Sequence, residues 1–216
     1  MGRCATSLLL RTWLLSCLLV PLAVYGEATV YGDESVVSPE SDYYASLQRF
    51  RDNLDFRFGD RILSPLTEAD RQNFEGLAHY DVVPALAIPA ILEPARDRST
   101  FAMPTYNNRT LAYSHFGTIV ARLDGSTVRL KAFRREDADT IRDFLLIPFR
   151  DATNGDETYA GGRYIEIDLP LPGNLVLDFN RATNPWCAYD AGYACPIPPR
   201  ENQLPMPIRA GEKRYR

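Results

Sequence analysis

Five side chains in the last third of the chain are of the types that grip or move charge: Arg163, Asp178, Asn180, Glu201 and Asn202. A guanidinium can pair bidentately with an anionic group. Asp178 and Asn180, two apart, share a face at a strand end and set an acceptor beside an amide. Asp178 with Glu201 supplies the two carboxylates that acid/base chemistry needs, provided an apolar pocket raises one pKa. These five form a candidate ligand-binding set, with Glu212-Lys213 as further charges able to face the same loop. The bland alternative is that short polar side chains bond local backbone and hold turns. Gly161-Gly162 before Arg163 invites an anion cradle, yet the run enters a strand and lacks the G-x-x-x-x-G-K-[ST] pattern. A bulged turn, with glycine supplying positive φ and Arg163 pairing with a carboxylate, is the simpler account.

Other chemistries find little support. There is no G-x-S-x-G for a serine nucleophile, and His79 and His115 sit in the contexts of structural histidines. Cys187 and Cys195 are two thiols without a nearby histidine, too few ligands for zinc, and their spacing is unlike C-x-x-C. No metal or cofactor is expected, and no motif names a catalytic residue. The chain has 24 basic and 28 acidic residues, a formal charge of −4, which makes no electrostatic case for nucleic acid or anionic lipid.

Residues 1–26 read as a cleaved signal peptide: Arg3 and Arg11 precede an uncharged apolar run from Trp13 to Val24, and Val24 and Gly26 are small enough for a cleavage site. The run is shorter than the roughly 20 residues a spanning helix needs. Leu14-Leu15-Ser16-Cys17 resembles a lipoprotein box, but the apolar run continues past Cys17, so lipid anchoring is the weaker reading. The expected location is periplasmic or extracellular. Residues 27–37 read as a flexible leader and 38–216 as one domain. In an exported chain a cysteine pair with seven residues between is most simply a disulfide. Closing that loop contributes roughly 2.5 kcal/mol by the chain-entropy model.

The elements that must position the site follow from periodicity. Residues 38–75 form a helical preface: Ser38 caps Pro39, Tyr43, Leu47, Phe50 and Leu54 recur at helical spacing, and Gly59 stops the helix. A second helix starts at Thr67, with Asp70 in the capping-box position. From residue 84 to 216 short alternating runs separated by turn residues predict strands at 86–92, 100–103, 110–114, 118–123, 128–133, 144–149, 163–168 and 175–179. The fold class is α+β, mainly β: an antiparallel sandwich or partly open barrel preceded by two short helices. Asp124-Gly125 is one hairpin signal and Pro172-Gly173-Asn174 another. The latter would fold 163–168 against 175–179 and bring Arg163 beside Asp178 and Asn180, with the proline-stiffened loop returning Glu201 to them.

The runs GDETYAGGRY, LDFNRATNP, CPIPPRENQLP and IRAGEKRY, in this order, resemble the signature of a bacterial and archaeal family known as domain of unknown function 1684. SPLTEADRQNFEGL and YSHFGTIVARLDG extend the likeness upstream. The resemblance implies a shared fold and a shared site, with no activity to carry over. Family members are usually longer between the first helix and the first strands, so this chain resembles a compact version.

Three functions are compatible with these residues: a module binding a small polar or anionic ligand, a metal-independent enzyme acting through carboxylates, and a structural or protein-interaction module. The cysteines give the most direct test. Thiol labelling of the purified mature protein without reductant is expected to find Cys187 and Cys195 unreactive, and two freely reactive thiols would overturn the disulfide.

Overall fold

The computed structural model describes residues 39–137 and 142–215. The expected signal peptide, leader and Ser38 cap lie outside them. Helix α1 (Pro39–Gly59) carries Glu40 and Asp42 in its first turn and Arg57 in its last, charges that complement the helix dipole. Helix α2 (Glu68–Gln72) is capped as the sequence predicts: Thr67 Oγ1 accepts from Asp70 N at 3.2 Å and donates to Asp70 Oδ2 at 2.9 Å.

Seven strands follow: β1 (Ala87–Pro94), β2 (Thr100–Pro104), β3 (Thr110–Leu123), β4 (Ser126–Arg135), β5 (Phe144–Phe149), β6 (Arg163–Asp168) and β7 (Val176–Asp178). Every pairing is antiparallel, in the order β6-β5-β4-β3-β1-β7, and β2 joins β3 beside β1. Two of the predicted strands, 110–114 and 118–123, are one: a bulge between His115 and Gly117 breaks the apolar alternation without ending the strand. Asp124-Gly125 is the expected hairpin turn, with φ of 48° and 78°, as a two-residue loop of this twist requires.

The ends of the sheet approach each other. Tyr164 N donates to Thr183 O at 2.8 Å and Thr183 N to Tyr164 O at 2.9 Å, so the sheet nearly closes into a barrel. The interior holds alternate residues of successive strands: Ile119 and Ala121, Leu130 and Ala132, Leu145 and Ile147, with Leu177 and Phe179 sealing one end. β5 is buried on both faces, because Leu146 also joins Met103, Tyr113, Phe133, Tyr164 and Cys195 in a second cluster under residues 183–196.

One expectation is corrected here. β6 and β7 do not form a hairpin across Pro172-Gly173: β6 pairs with β5 and β7 with β1. Residues 169–175 make an arch with a cis Leu169-Pro170 bond, and β7 ends in a 3-10 turn, Phe179–Arg181.

Two asparagines complete the ladders. β4 and β5 pair only at Phe133↔Leu146 and Arg134↔Leu145, then diverge. Asn202 fills the gap: its Oδ1 accepts from Lys131 N at 2.7 Å, and its Nδ2 donates to Lys131 O at 2.9 Å and Pro148 O at 2.7 Å. Asn180 does the same for the chain before β1, accepting from Val83 N at 2.8 Å and donating to Val83 O at 2.9 Å. A carboxamide carries the donor and acceptor of a peptide group, so each side chain acts as one residue of a strand. Asn202→Ala leaves three backbone groups unbonded, and at about 1 kcal/mol or more for each the variant is expected to lose roughly 3 kcal/mol in urea unfolding.

Candidate functional site

The site's scaffold is the stretch that continues past Thr183. The carboxyl-terminal segment threads beside it, held by Leu204 N to Arg150 O at 2.8 Å, Glu212 N to Ala182 O at 2.8 Å and Lys213 N to Ala78 O at 2.8 Å. Arg163 fixes this segment from inside. Fully buried, it donates through Nη2 to Asp151 Oδ2 at 2.8 Å and Ile208 O at 2.7 Å, and through Nη1 to the carbonyls of Ala210 and Glu212. Gly162 before it has φ of 96°, and a Cβ there would stand 2.4 Å from Phe149 O; only glycine allows this approach. The expected carboxylate partner of Arg163 is present, but it is Asp151, not Asp178.

Two cavities open on either side of residues 183–186. The larger, about 1260 Å³, lies between α1, β6 and the 169–175 arch, with Phe50, Leu54 and Phe58 on its helical wall. The smaller, about 560 Å³, lies between the start of β3, β6 and the Tyr193–Pro196 stretch. Arg142, Phe144, Glu166, Thr183, Asn184 and Trp186 line both, making them two lobes of one cleft.

The sequence-predicted residues divide around this cleft. Asp178 and Asn180 do meet, Asn180 N and Nδ2 both donating to Asp178 Oδ1, at 2.9 and 3.1 Å. Asp178 lines the larger lobe, where its carboxylate also accepts from Tyr43 Oη at 3.1 Å and pairs with Arg181 at 3.3 Å. Burial and the Asp178 charge push the Tyr43 phenol well up, so Tyr43 stays a donor and ties α1 to the end of β7. Asn180, Asn202 and Arg163 line neither lobe, and their polar atoms bind the chain itself. Glu201 pairs with Lys131 at 2.6 Å on the exposed surface and does not meet Asp178. His79 and His115 also lie away from both lobes.

Three residues outside that set dominate the junction. Glu212 is buried, and its carboxylate accepts from Asn184 N at 2.9 Å, from Asn184 Nδ2 at 2.8 Å and from Tyr189 Oη. Burial outweighs these bonds and the Arg163 charge, raising its pKa to about 7. Asn184 also donates to Lys213 O at 2.8 Å, while its Oδ1, buried, has no partner among the described residues. Trp186 is 40% exposed on the cleft wall, with the Arg57 guanidinium 5.9 Å from its ring centroid. The local signal for Asn184 and Trp186 was a polar residue and a proline directly before an aromatic in one loop, Asn184-Pro185-Trp186, whereas Glu212 stood out only as a charge able to face that loop.

Cys187 and Cys195 are described as thiols in hydrogen-bond contact, Cys187 N donating to Cys195 Sγ at 3.0 Å. The bond from Cys195, and a second from Tyr159, lower the Cys187 pKa; the bond to Cys187 and burial raise that of Cys195. Cys195 lines the smaller lobe. Among the described residues no group of three or more His, Cys, Asp or Glu side chains could hold a metal ion, and no helix is long and apolar enough to cross a membrane.

The Glu212 shift has a sign. Its folded pKa exceeds the ordinary 4.5, so between about 4.5 and 7 the folded state holds a proton that the unfolded state has released. This group's contribution to stability therefore falls as pH rises through that window, by on the order of 3 kcal/mol. Glu212→Gln is expected to flatten the decline in melting temperature between pH 5 and 8, and an unchanged pH profile would place the titration elsewhere.

The model of a protein family described as "Protein of unknown function (DUF1684)" matches residues 72–213. Among solved structures, the solution NMR structure of an uncharacterized protein from gene locus rrnAC0354 of Haloarcula marismortui is similar, with a TM-score of 0.64 and 36% identity over 81% of this chain and 95% of that one. No curated protein matches. The matched span takes in all seven strands, the cleft loop and the segment that Arg163 anchors, and the chain belongs to the DUF1684 family.

Proposed function

We propose that the protein is exported, loses residues 1–26, and binds a small organic ligand in the two-lobed cleft. The observation that carries this is the Asn184 side chain. A buried acceptor with no partner costs about 1–3 kcal/mol, and native proteins keep few of them. Asn180 and Asn202 show how completely this fold can satisfy an asparagine. Asn184, which lines both lobes, instead keeps a buried Oδ1 without a partner among the described residues, and a small rotation of the side chain would offer it to a ligand bearing an N–H or O–H donor. Phe50, Leu54 and Phe58 favour an apolar body for that ligand, and Arg57 a polar or anionic end. Clefts of this volume with a few convergent polar groups are the usual form of small-molecule sites, and the depth argues against a flat protein-docking face. Once in an oxidising compartment, Cys187 and Cys195 form a disulfide that fixes the wall of the smaller lobe.

A carboxylate-based enzyme is the second reading, and Glu212 is the observation in its favour: a cleft carboxyl with a pKa raised to about 7 is poised for proton transfer. The pairing of Asp178 with Glu201 does not supply it, since Glu201 faces Lys131.

Native mass spectrometry of the gently purified protein tests the binding reading. One small molecule per chain is expected, and a folded Val176→Trp variant, which narrows the larger lobe beside the β7 edge, is expected to hold less of it. A variant that keeps the molecule would show that the cleft is not its site.

A further inference from the structure

The larger lobe is bordered by strand edges. Tyr164 uses its N–H and C=O on Thr183, away from β5, and Pro148, opposite it on β5, has no N–H to offer. Backbone groups alternate sides along a strand, so Ile165 and Ile167 bond β5 while Glu166 and Asp168 turn their N–H and C=O to the far edge. On β7, Ala90 N donates to Leu175 O at 2.9 Å. Leu175 and Leu177 therefore address β1, and Val176, opposite Pro89, faces away from it. Glu166, Asp168 and Val176 all line the larger lobe, and no side chain or loop group among the described residues bonds these outward amides. The lobe is thus the unzipped part of the barrel seam, closed at one end by Tyr164–Thr183 and at the other by the 169–175 arch.

Resting on the ligand-cleft reading above, we infer that the ligand is a short peptide, about three residues long, laid in extended form against the β6 edge. The free run from Glu166 to Asp168 offers two outward residues, roughly 7 Å apart at strand rise, which suits a segment of that length and no long strand. Unpaired strand edges recruit extended peptides through main-chain bonds, with alternate side chains giving selectivity. Apolar side chains would lie against Phe50, Leu54 and Phe58 of α1. Arg57 lines the lobe, is half-buried, stacks on Trp186 and has no carboxylate partner among the described residues; it meets the peptide's terminal carboxylate. Asn184 Oδ1, beside Trp186, accepts a peptide N–H. With its carboxyl end at Arg57, near the Thr183 closure, the peptide runs antiparallel to β6.

Isothermal titration with trileucine tests this, using three relatives: trileucine N-methylated at both amides, trileucine carboxamide, and decanoate as an apolar anion without amides. Trileucine is expected to bind, N-methylation to weaken it at least tenfold, and decanoate to bind at least tenfold more weakly. The carboxamide is expected to lose at least fivefold, a loss absent in Arg57→Gln. N-methylation alters only the peptide, so its effect does not depend on any variant folding. If the methylated peptide or decanoate binds as tightly as trileucine, the strand-edge inference falls while the cleft stands. If trileucine does not bind, the peptide inference falls, and the native mass spectrum decides the cleft separately.

Discussion

The buried Arg163–Asp151 pair is the interaction on which the rest of the site depends. Two charges removed from water cost more than their attraction returns unless every remaining donor and acceptor is bonded. Here Asp151 also accepts from Thr153 N at 2.9 Å, Thr153 Oγ1 at 2.6 Å and Ile208 N at 3.2 Å. Arg163 spends its Nη donors on Asp151 and on carbonyls of residues 208–212, and only its Nε, also buried, lacks a partner among the described residues. The pair therefore joins three pieces of chain: the turn after β5, the start of β6 and the carboxyl-terminal segment. That segment carries Glu212, Glu212 holds Asn184, and Asn184 is the junction of the cleft. Arg163 lines neither lobe, yet it sets where the cleft residues Asn184 and Glu212 stand.

Asparagine recurs because a carboxamide is a peptide group on a tether. Asn202 replaces a ladder residue between β4 and β5, and Asn180 pairs with Val83 as a strand neighbour would. Asn184 uses only its donor half, on Glu212 and Lys213. What sets Asn184 apart from the two ladder asparagines is the acceptor, not burial, since all three are buried.

Much of the fold was legible locally. Alternation placed β5 and β6 to the residue, Thr67 and Asp70 announced α2, and Asp124-Gly125 the β3–β4 turn. Arg163 was expected to pair with a carboxylate, and does. What failed was non-local. A Pro-Gly turn between two strands looks alike whether they pair or splay, and the partner of β7 is β1, far earlier in the chain. Asp178 was singled out because strand-end polar residues stand out, and it lines the larger lobe. Asn184 and Glu212 matter only through each other, a contact across 28 residues that no periodicity marks.

The open seam has a local cause. Asp178 caps the 3-10 turn that ends β7 by accepting from Asn180 N, and the turn carries the chain away before β7 can reach β6. Asn180 cannot relax this, because its amide is committed to Val83. α1 covers the gap instead, fastened by Tyr43 to Asp178 and by Arg181 Nη2 to Ser46 Oγ at 2.6 Å. Both fastenings lie toward the amino-terminal end of α1, whereas Phe58 meets Tyr189 at the other end, ring centroids 4.7 Å apart. Between these ends Arg51 Nη2 donates to Tyr80 O at 2.9 Å and Asp55 Oδ1 accepts from Leu77 N at 2.9 Å, while Phe50, Leu54 and Phe58 line the larger lobe. Those contacts hold the helix over the seam without closing it: the outward amides of Glu166, Asp168 and Val176 border the lobe, and no group among the described residues bonds them.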